Sequence, residues 1–203
     1  MRYAEQQLGI LFIKRKNDMT IKDIIKISAT YLGKNNVLEY LAEENGNYGD
    51  AVQQIDNLTR CANLVIGELS ASYFPMKKSE IKRAVNGKIN FSEFTENIMR
   101  VDGVYTENGD KTDYKVKPLA IEVNCPSVIV EYTYLPSNYG LTDVIGYKDS
   151  EVNERLIAYG VCSEYSIIER NFDESIMWRN RFNEEIKKLI SPKNTTAKKR
   201  SWA

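Results

Sequence analysis

The sequence predicts an α+β protein, built as an antiparallel helical bundle with long helices and an inserted small antiparallel β lobe. Two observations lead to this expectation. Apolar residues recur every three or four positions up to residue 75, and they do so again after residue 148. Between these stretches the chain is rich in Val, Ile, Thr and Tyr, and it carries dipeptides that favour hairpin turns.

These patterns divide the chain into an N-terminal extension, a helical body in two pieces, an inserted β lobe and a basic tail. The expected boundaries are 1–18 for the extension, 19–75 and 148–190 for the body, 76–136 for the lobe and 191–203 for the tail. In the extension, three basic residues follow the apolar residues 8–13, which is the reverse of the order in a secretory signal.

Local signals predict the first two helices. Thr20 and Asp23 have the spacing of a capping box, in which each side chain binds the other residue's backbone amide. The apolar residues that follow keep helical spacing as far as Gly33, which is expected to end the helix. A second, short helix is expected at residues 36–43.

A longer helix is expected before the β lobe. Apolar residues between Ala51 and Tyr73 recur at steps of three and four, which predicts an amphipathic helix of about six turns. Asp50 is the expected N-cap, and Pro75 is expected to stop the helix.

The β lobe is expected to contain several short antiparallel strands. Asn86-Gly87, Asp102-Gly103 and Asn108-Gly109 are the expected hairpin turns, because these dipeptides favour left-handed backbone conformations. The clearest strand is SVIVEYTYL (Ser127–Leu135), in which Val128, Val130, Tyr132 and Tyr134 alternate with residues of the other face.

Two helices joined by a short turn are expected at the C-terminal end of the body, so they must run antiparallel. Ser150 is the expected cap of the first helix and Asp173 of the second. The first helix carries the small residues Ala158, Gly160 and Ser163 in an apolar face that extends to Ile167 or Ile168. Apolar residues of the second helix are Ile176, Trp178, Phe182, Ile186, Leu189 and Ile190.

The stretch FDESIMWRNRFNEEI poses the choice between a binding site and a helical core. Trp178, Phe182 and Ile186 lie four residues apart and therefore share one stripe of a helix. We expect Trp178 and Phe182 to pack in the core against the small residues of the preceding helix. Arg179 and Arg181 are expected to be solvated or paired with acids such as Glu174 and Glu185.

The composition excludes several kinds of site. The chain has no histidine, which removes Ser-His-Asp and Cys-His catalysis and His-ligated zinc. It has no phosphate-binding loop motif and no apolar run near the ~20 residues needed to span a bilayer. We therefore expect no enzyme, no cofactor, no metal site and no membrane partner. The alternative is an enzyme whose carboxylates or tyrosines converge from distant segments.

The three cysteines, Cys61, Cys125 and Cys162, are expected to be reduced. They are odd in number, far apart and without a CxxC pair. Cys61 and Cys162 stand among apolar residues of helical patterns, which indicates small buried thiols.

The basic tail is the candidate partner-binding segment. Lys198, Lys199, Arg200 and Trp202 combine positive charge with one aromatic side chain, which suits an arm that docks on a partner. An alternative is a non-enzymatic nucleic-acid-binding module that uses this tail. The balance of 28 basic and 28 acidic residues gives no overall charge to favour nucleic acid.

Three parts of the chain resemble head–tail adaptor (neck connector) proteins of tailed bacteriophages. The hairpin LIAYGVCSEYSIIERNFDESIMWRNRFNEEIKKLI, with Ala158-Tyr159-Gly160, Glu164-Tyr165 and residues 178–182, resembles the closing helices of that group. The strand at residues 127–136 resembles the group's last strand. The opening MTIKDIIKISATYLG resembles its first helix.

This resemblance implies a structural virion protein, a head–tail adaptor subunit that forms a ring between portal and tail. Its implied partners are further copies of the chain, commonly in a dodecamer, the portal protein and downstream tail or neck proteins. DNA would be met only through the ring lumen. The implied location is the neck of the virion, and the host cytoplasm during assembly. The group has no catalytic residues to carry over.

Overall fold

The computed structural model describes residues 19–42, 49–147 and 152–191. The helices in these ranges are α1 (Ile21–Tyr31), α2 (Asn35–Leu41), α3 (Ala51–Ser72), α4 (Glu154–Ile168) and α5 (Phe172–Ile190). The strands are β1 (Met76–Arg83), β2 (Lys88–Asn90), β3 (Asn97–Tyr105), β4 (Tyr114–Val116), β5 (Ala120–Val123) and β6 (Ser127–Leu135). A short 3-10 helix, Phe91–Glu93, lies between β2 and β3.

The expected bundle of long helices with a single β lobe is wrong. The described ranges contain five helices of 7 to 22 residues and two three-stranded antiparallel sheets. Their strand orders are β1-β6-β3 and β2-β5-β4. The mixed content of helix and strand is consistent with the α+β class. Breaks such as Gly33, whose φ is +67°, keep neighbouring helices short.

The chain divides its strands between two sheets because β2 and β3 do not pair with each other. β1 and β3 flank β6 on either side, and β6 pairs with β1 over eight residues. The 3-10 helix Phe91–Glu93 redirects the chain after β2, which pairs instead with β5. A periodicity of two predicts strands but not this allocation to sheets.

The start of α1 confirms the predicted capping box. The Asp23 amide donates to Thr20 Oγ1 at 3.2 Å, and the Thr20 amide donates to the Asp23 carboxylate at 3.2 Å. Each donor would otherwise lack an intrahelical partner. α3 also has about the predicted length, although Asp50 stands at its N-cap without a side-chain hydrogen bond.

The expected caps of α4 and α5 are wrong. Asn153 caps α4, and its side-chain oxygen accepts from the Leu156 amide at 2.9 Å; Ser150 lies outside the described residues. α5 already begins at Phe172, so Asp173 lies in its first turn. Arg170, at φ +61°, ends α4 in the left-handed conformation and leaves no room for a longer turn.

Two of the three expected turns occur. Asn86 and Gly87 both have positive φ, and Val85 and Lys88 exchange backbone hydrogen bonds across them. Gly109, at φ +89°, turns the chain after Thr106. Asp102-Gly103 is instead part of β3, at a shift of register against β6.

Helices and the larger sheet share one hydrophobic core. α3 packs against α1, α4 and β6, and it contributes Leu58, Ala62, Val65 and Leu69 as fully buried residues. None of the helices in the described ranges has both the length and the apolar character needed to cross a membrane.

Candidate functional site

The predicted partner-binding residues Lys198, Lys199, Arg200 and Trp202 lie outside the described residues, as does the extension at residues 1–18. Their roles stay predictions. The candidate functional surfaces that follow are built from the described helices and strands.

Trp178 and Phe182 of the α4–α5 hairpin belong to the helical core and not to a binding site. Trp178 and Phe182 are buried, which confirms their predicted place in the core. Phe182 faces Gly160: a Cβ atom on that glycine would lie 3.1 Å from Phe182 Cε2 and only 2.6 Å from Val65 Cγ1. The glycine therefore lets α4 approach α3 and α5 closely at the same point.

Two glycine-to-alanine substitutions test this close packing. Gly160→Ala is expected to lower the free energy of unfolding, because the new methyl group overlaps the stiff side chain of Val65, and overpacking typically costs ~1–3 kcal/mol. Gly67→Ala is the control, since Gly67 lies inside α3 and a methyl group there would have no side chain or neighbouring element within 4 Å. It is expected to raise the free energy of unfolding by about 0.4–1 kcal/mol. Urea denaturation measures the change in the free energy of unfolding for both variants. If the two changes had the same sign, the close packing at Gly160 would be contradicted.

An aromatic cluster joins α1 to the hairpin. The rings of Tyr31, Tyr159 and Trp178 are mutually stacked, with centroid separations of 5.6, 5.3 and 5.8 Å. The Arg181 guanidinium lies 4.8 Å from the centre of the Trp178 ring, and that of Arg155 lies 5.4 Å from the Tyr159 ring. These arginines cover a buried cluster, so we assign them a packing role.

Arg179 links three helices. Its two terminal nitrogens donate to the Glu68 carboxylate of α3 at 2.9 and 2.7 Å, and it lies 4.0 Å from Glu164 of α4. The expected pairing with Glu174 or Glu185 is wrong, because the hairpin turns Arg179 toward α3. A bidentate arginine–carboxylate pair fixes the relative orientation of the elements that carry it.

The two helical thiols, Cys61 and Cys162, are structural. All three cysteines are free, as predicted, and Cys61 and Cys162 are buried. Burial raises the pKa of each of these two thiols to about 12. Both therefore stay protonated and unreactive near neutral pH.

A polar cluster that sequence reasoning missed is centred on Glu80 of β1. The Glu80 carboxylate accepts hydrogen bonds from the Tyr132 and Thr95 hydroxyl groups and from Lys82 Nζ at 2.7 Å. Lys78 Nζ lies 3.7 Å away. Tyr132 is fully buried, so its hydroxyl group needs this acceptor.

Neither Glu80 nor Tyr132 has a pKa near neutral pH. Burial pushes the pKa of Glu80 up, but hydrogen bonds from Lys82, Thr95 and Tyr132 outweigh burial and lower it to about 2. Burial and the bond to Glu80 raise the pKa of Tyr132. The carboxylate stays ionised and the phenol stays protonated over the physiological range, which suits a structural network.

The same cluster attaches the segment before β3 to the sheet. Lys82 Nζ donates to the Glu93 carbonyl at 2.5 Å and lies 4.8 Å from the centre of the Phe94 ring. Lys78 Nζ donates to the Glu96 carboxylate at 3.1 Å.

Among the described residues, no group of three or more Cys, Asp or Glu side chains could hold a metal ion.

The end of the α4–α5 hairpin exposes a patch of apolar side chains, which we call the hairpin tip. It consists of Ile167 and Ile168 of α4 and Phe172 and Ile176 of α5, with Phe172 and Ile176 62% and 60% exposed. The expectation that Ile167 or Ile168 extends the apolar face of α4 is wrong, because both are exposed. Ile176 stands two positions before Trp178, so the two side chains point to different sides of α5.

A second apolar surface lies where β4 turns into β5. Residues 115–119, which we call the strand tip, are all exposed, and Leu119 is 79% exposed. Val116 is also largely exposed, and it stands between Lys115 and Lys117. A single exposed aliphatic residue is ordinary, whereas two within one short exposed turn indicate a contact surface.

No protein-family model matches the chain. No curated protein matches it either. The candidate surfaces are therefore identified only from the exposure and contacts of the residues in this chain.

Proposed function

We propose that this chain is a structural virion protein, a head–tail adaptor subunit that forms a ring between the portal and the tail of a bacteriophage. The observation that carries the proposal is the hairpin tip. Four large aliphatic and aromatic side chains at the turn end of this hairpin are each about half exposed or more, as expected of a surface that another protein covers.

The segments that carry the resemblance support the same proposal. The opening segment forms α1, residues 127–135 form β6, and the closing segment forms the α4–α5 hairpin. α3 packs against all three of these elements, α1, β6 and α4, so they belong to one core. A subunit of a ring needs such a rigid body, because each contact must place the next copy at the same angle.

The partners in this proposal are further copies of the chain, the portal protein and downstream tail or neck proteins. The location is the neck of the virion, after assembly in the host cytoplasm. No catalytic role is assigned. The best candidate for catalytic chemistry, Glu80 with Tyr132, has the hydrogen bonds and pKa values of a structural network.

The test is assembly of the full chain, alone and with the portal ring that is encoded in the same genome. Sedimentation velocity and negative-stain electron microscopy would follow both mixtures. We expect closed rings with a central lumen, bound to one end of the portal ring when it is present. A chain that neither forms rings nor binds the portal ring, or a genome that encodes no portal protein, would contradict the proposal.

A further inference from the structure

We infer that the hairpin tip of one copy docks on the strand tip of a second copy, in a head-to-tail contact. This inference rests on the proposed ring and adds to it the two surfaces that would meet. Both surfaces belong to every copy. A contact between two different patches repeats from copy to copy and closes into a ring when the rotation between copies allows it.

The apolar parts of the two surfaces are suited to mutual burial. The sharp turn at Arg170 brings the last residues of α4 next to the first turn of α5. Ile168 and Phe172 thus stand on either side of the turn, and Ile176 lies one helical turn beyond Phe172. The strand tip offers Val116 and Leu119, which are 56% and 79% exposed, where the chain turns from β4 to β5.

The charges around the two surfaces have opposite sign. The acidic residues next to the hairpin tip along the chain are Glu164, Glu169, Asp173 and Glu174. The basic residues near them are Arg170 in the turn, Arg179, which lies 4.0 Å from Glu164, and Lys34. Glu169 is partly neutralised, because Lys34 Nζ lies 2.5 Å from it. Asp173 is exposed, and among the described residues it forms no ion pair.

The strand tip carries the complementary charge. Lys115 and Lys117 are both exposed, on either side of Val116. Lys117 Nζ lies 3.8 Å from the Glu122 carboxylate, a separation that leaves most of its charge available to a partner. Basic residues that flank an apolar turn fit an acidic rim around an apolar patch, and such complementarity favours this pairing over a contact between two identical tips.

Within one chain the two tips leave each other uncovered. Leu119 is 79% exposed and Phe172 is 62% exposed in the same molecule. Any burial of these side chains against one another therefore requires a second copy.

Mixing two variants tests the contact. The first variant carries Phe172→Ser and Ile176→Ser, which removes the hairpin tip and keeps the strand tip. The second carries Val116→Ser and Leu119→Ser, which does the reverse. We expect each variant alone to lose self-association by about 30-fold or more, since the central apolar side chains of an interface dominate its affinity.

An equimolar mixture is expected to form heterodimers and nothing larger. Each variant then supplies the surface that the other lacks, and the heterodimer has no intact pair of surfaces left for a third copy. Native mass spectrometry with one variant isotopically labelled would identify the pair. A mixture in which both variants stay monomeric would overturn the head-to-tail contact.

Charge reversal gives a second, independent measurement. Asp173→Lys is expected to weaken self-association, and Lys115→Glu with Lys117→Glu is expected to do the same. Combining all three substitutions in one chain should restore self-association, because the reversed charges then meet in every contact and again have opposite sign. Leu64→Ser is the control, since Leu64 is a largely exposed residue of α3 outside both tips; it should assemble like the wild-type chain.

The outcomes separate this inference from the proposed function. Rings that still form from both serine variants would overturn the contact and leave the adaptor proposal standing. A wild-type chain that stays monomeric at ~1 mM, the affinity limit of a very weak complex, would also overturn the contact. If that monomer also failed to join the portal ring, the proposed function would be wrong as well.

Discussion

Phe182→Ala is expected to lower the free energy of unfolding by about 3–5 kcal/mol, the usual loss when a buried aromatic ring is removed. Phe182 is fully buried, and its ring lies where a side chain at position 160 would otherwise be. Removing the ring leaves a cavity beside Gly160 that this glycine has no side chain to fill. The Arg179 guanidinium, 5.2 Å from the ring centre, would also lose its aromatic neighbour.

Phe172→Ala is the matched control, because it makes the same substitution on the same helix at an exposed position. It should change the free energy of unfolding by less than ~0.5 kcal/mol. Urea denaturation at a protein concentration that keeps the chain monomeric measures both variants. Equal effects of the two substitutions would contradict the placement of Phe182 in the core. The control should nevertheless impair assembly, if the hairpin tip is a contact surface.

Features fixed by neighbouring residues could be predicted from the sequence. The capping box at Thr20 and Asp23 needs only two side chains that accept hydrogen bonds, placed three residues apart. Strand β6 alternates over its whole length, and its bounds, Ser127–Leu135, are those predicted. Burial of Trp178 and Phe182 followed from their shared stripe together with the small residues of α4.

Features that depend on distant pairing could not be predicted in this way. Asp102-Gly103 has the composition of a turn, yet β6 pairs on both sides of it and makes it a bulge. A Cβ atom at Gly103 would lie 2.8 Å from the end of the Tyr105 ring, so glycine leaves room there for this ring. A dipeptide preference cannot distinguish these two reasons for a glycine.

The hairpin tip and the Glu80 cluster could not be predicted from the sequence, for two different reasons. Helical spacing places Ile167 or Ile168 of the hairpin tip in the apolar face of α4, because apolar residues near the end of a helix fit the same spacing as buried ones. The position of Ile176, out of step with Trp178 and Phe182, is the signal that separates them. The Glu80 cluster draws on segments up to 52 residues apart, but Lys78, Glu80 and Lys82 alternate along one face of β1 and could have indicated an ionic cluster.

Glu80→Gln is expected to have an effect as large as that of the core substitution, about 3–5 kcal/mol at neutral pH, since it removes one member of a largely buried ion pair. The side chains of Glu80 and Lys82 are 12% and 15% exposed. An amide in place of the carboxylate leaves Lys82 without its counter-ion and presents N–H groups to other donors. Glu131→Gln on β6 is the control, because Glu131 is exposed; its effect should stay within ~0.5 kcal/mol.

The effect of Glu80→Gln should depend on pH in a definite direction. Folding lowers the pKa of Glu80 from its ordinary value of 4.5 to about 2, because hydrogen bonds from Lys82, Thr95 and Tyr132 outweigh burial. A group whose folded pKa is depressed contributes its full stability above the unfolded pKa and loses it as the pH falls through the folded one. This contribution is ~3 kcal/mol by the usual conversion of a pKa shift. The wild-type chain should therefore lose its advantage over the variant between pH 4.5 and pH 2. Urea denaturation of both chains across this window measures the difference, in which the titration of other carboxylates largely cancels. A difference that stays constant down to pH 2 would show that Glu80 is not held as a hydrogen-bonded carboxylate.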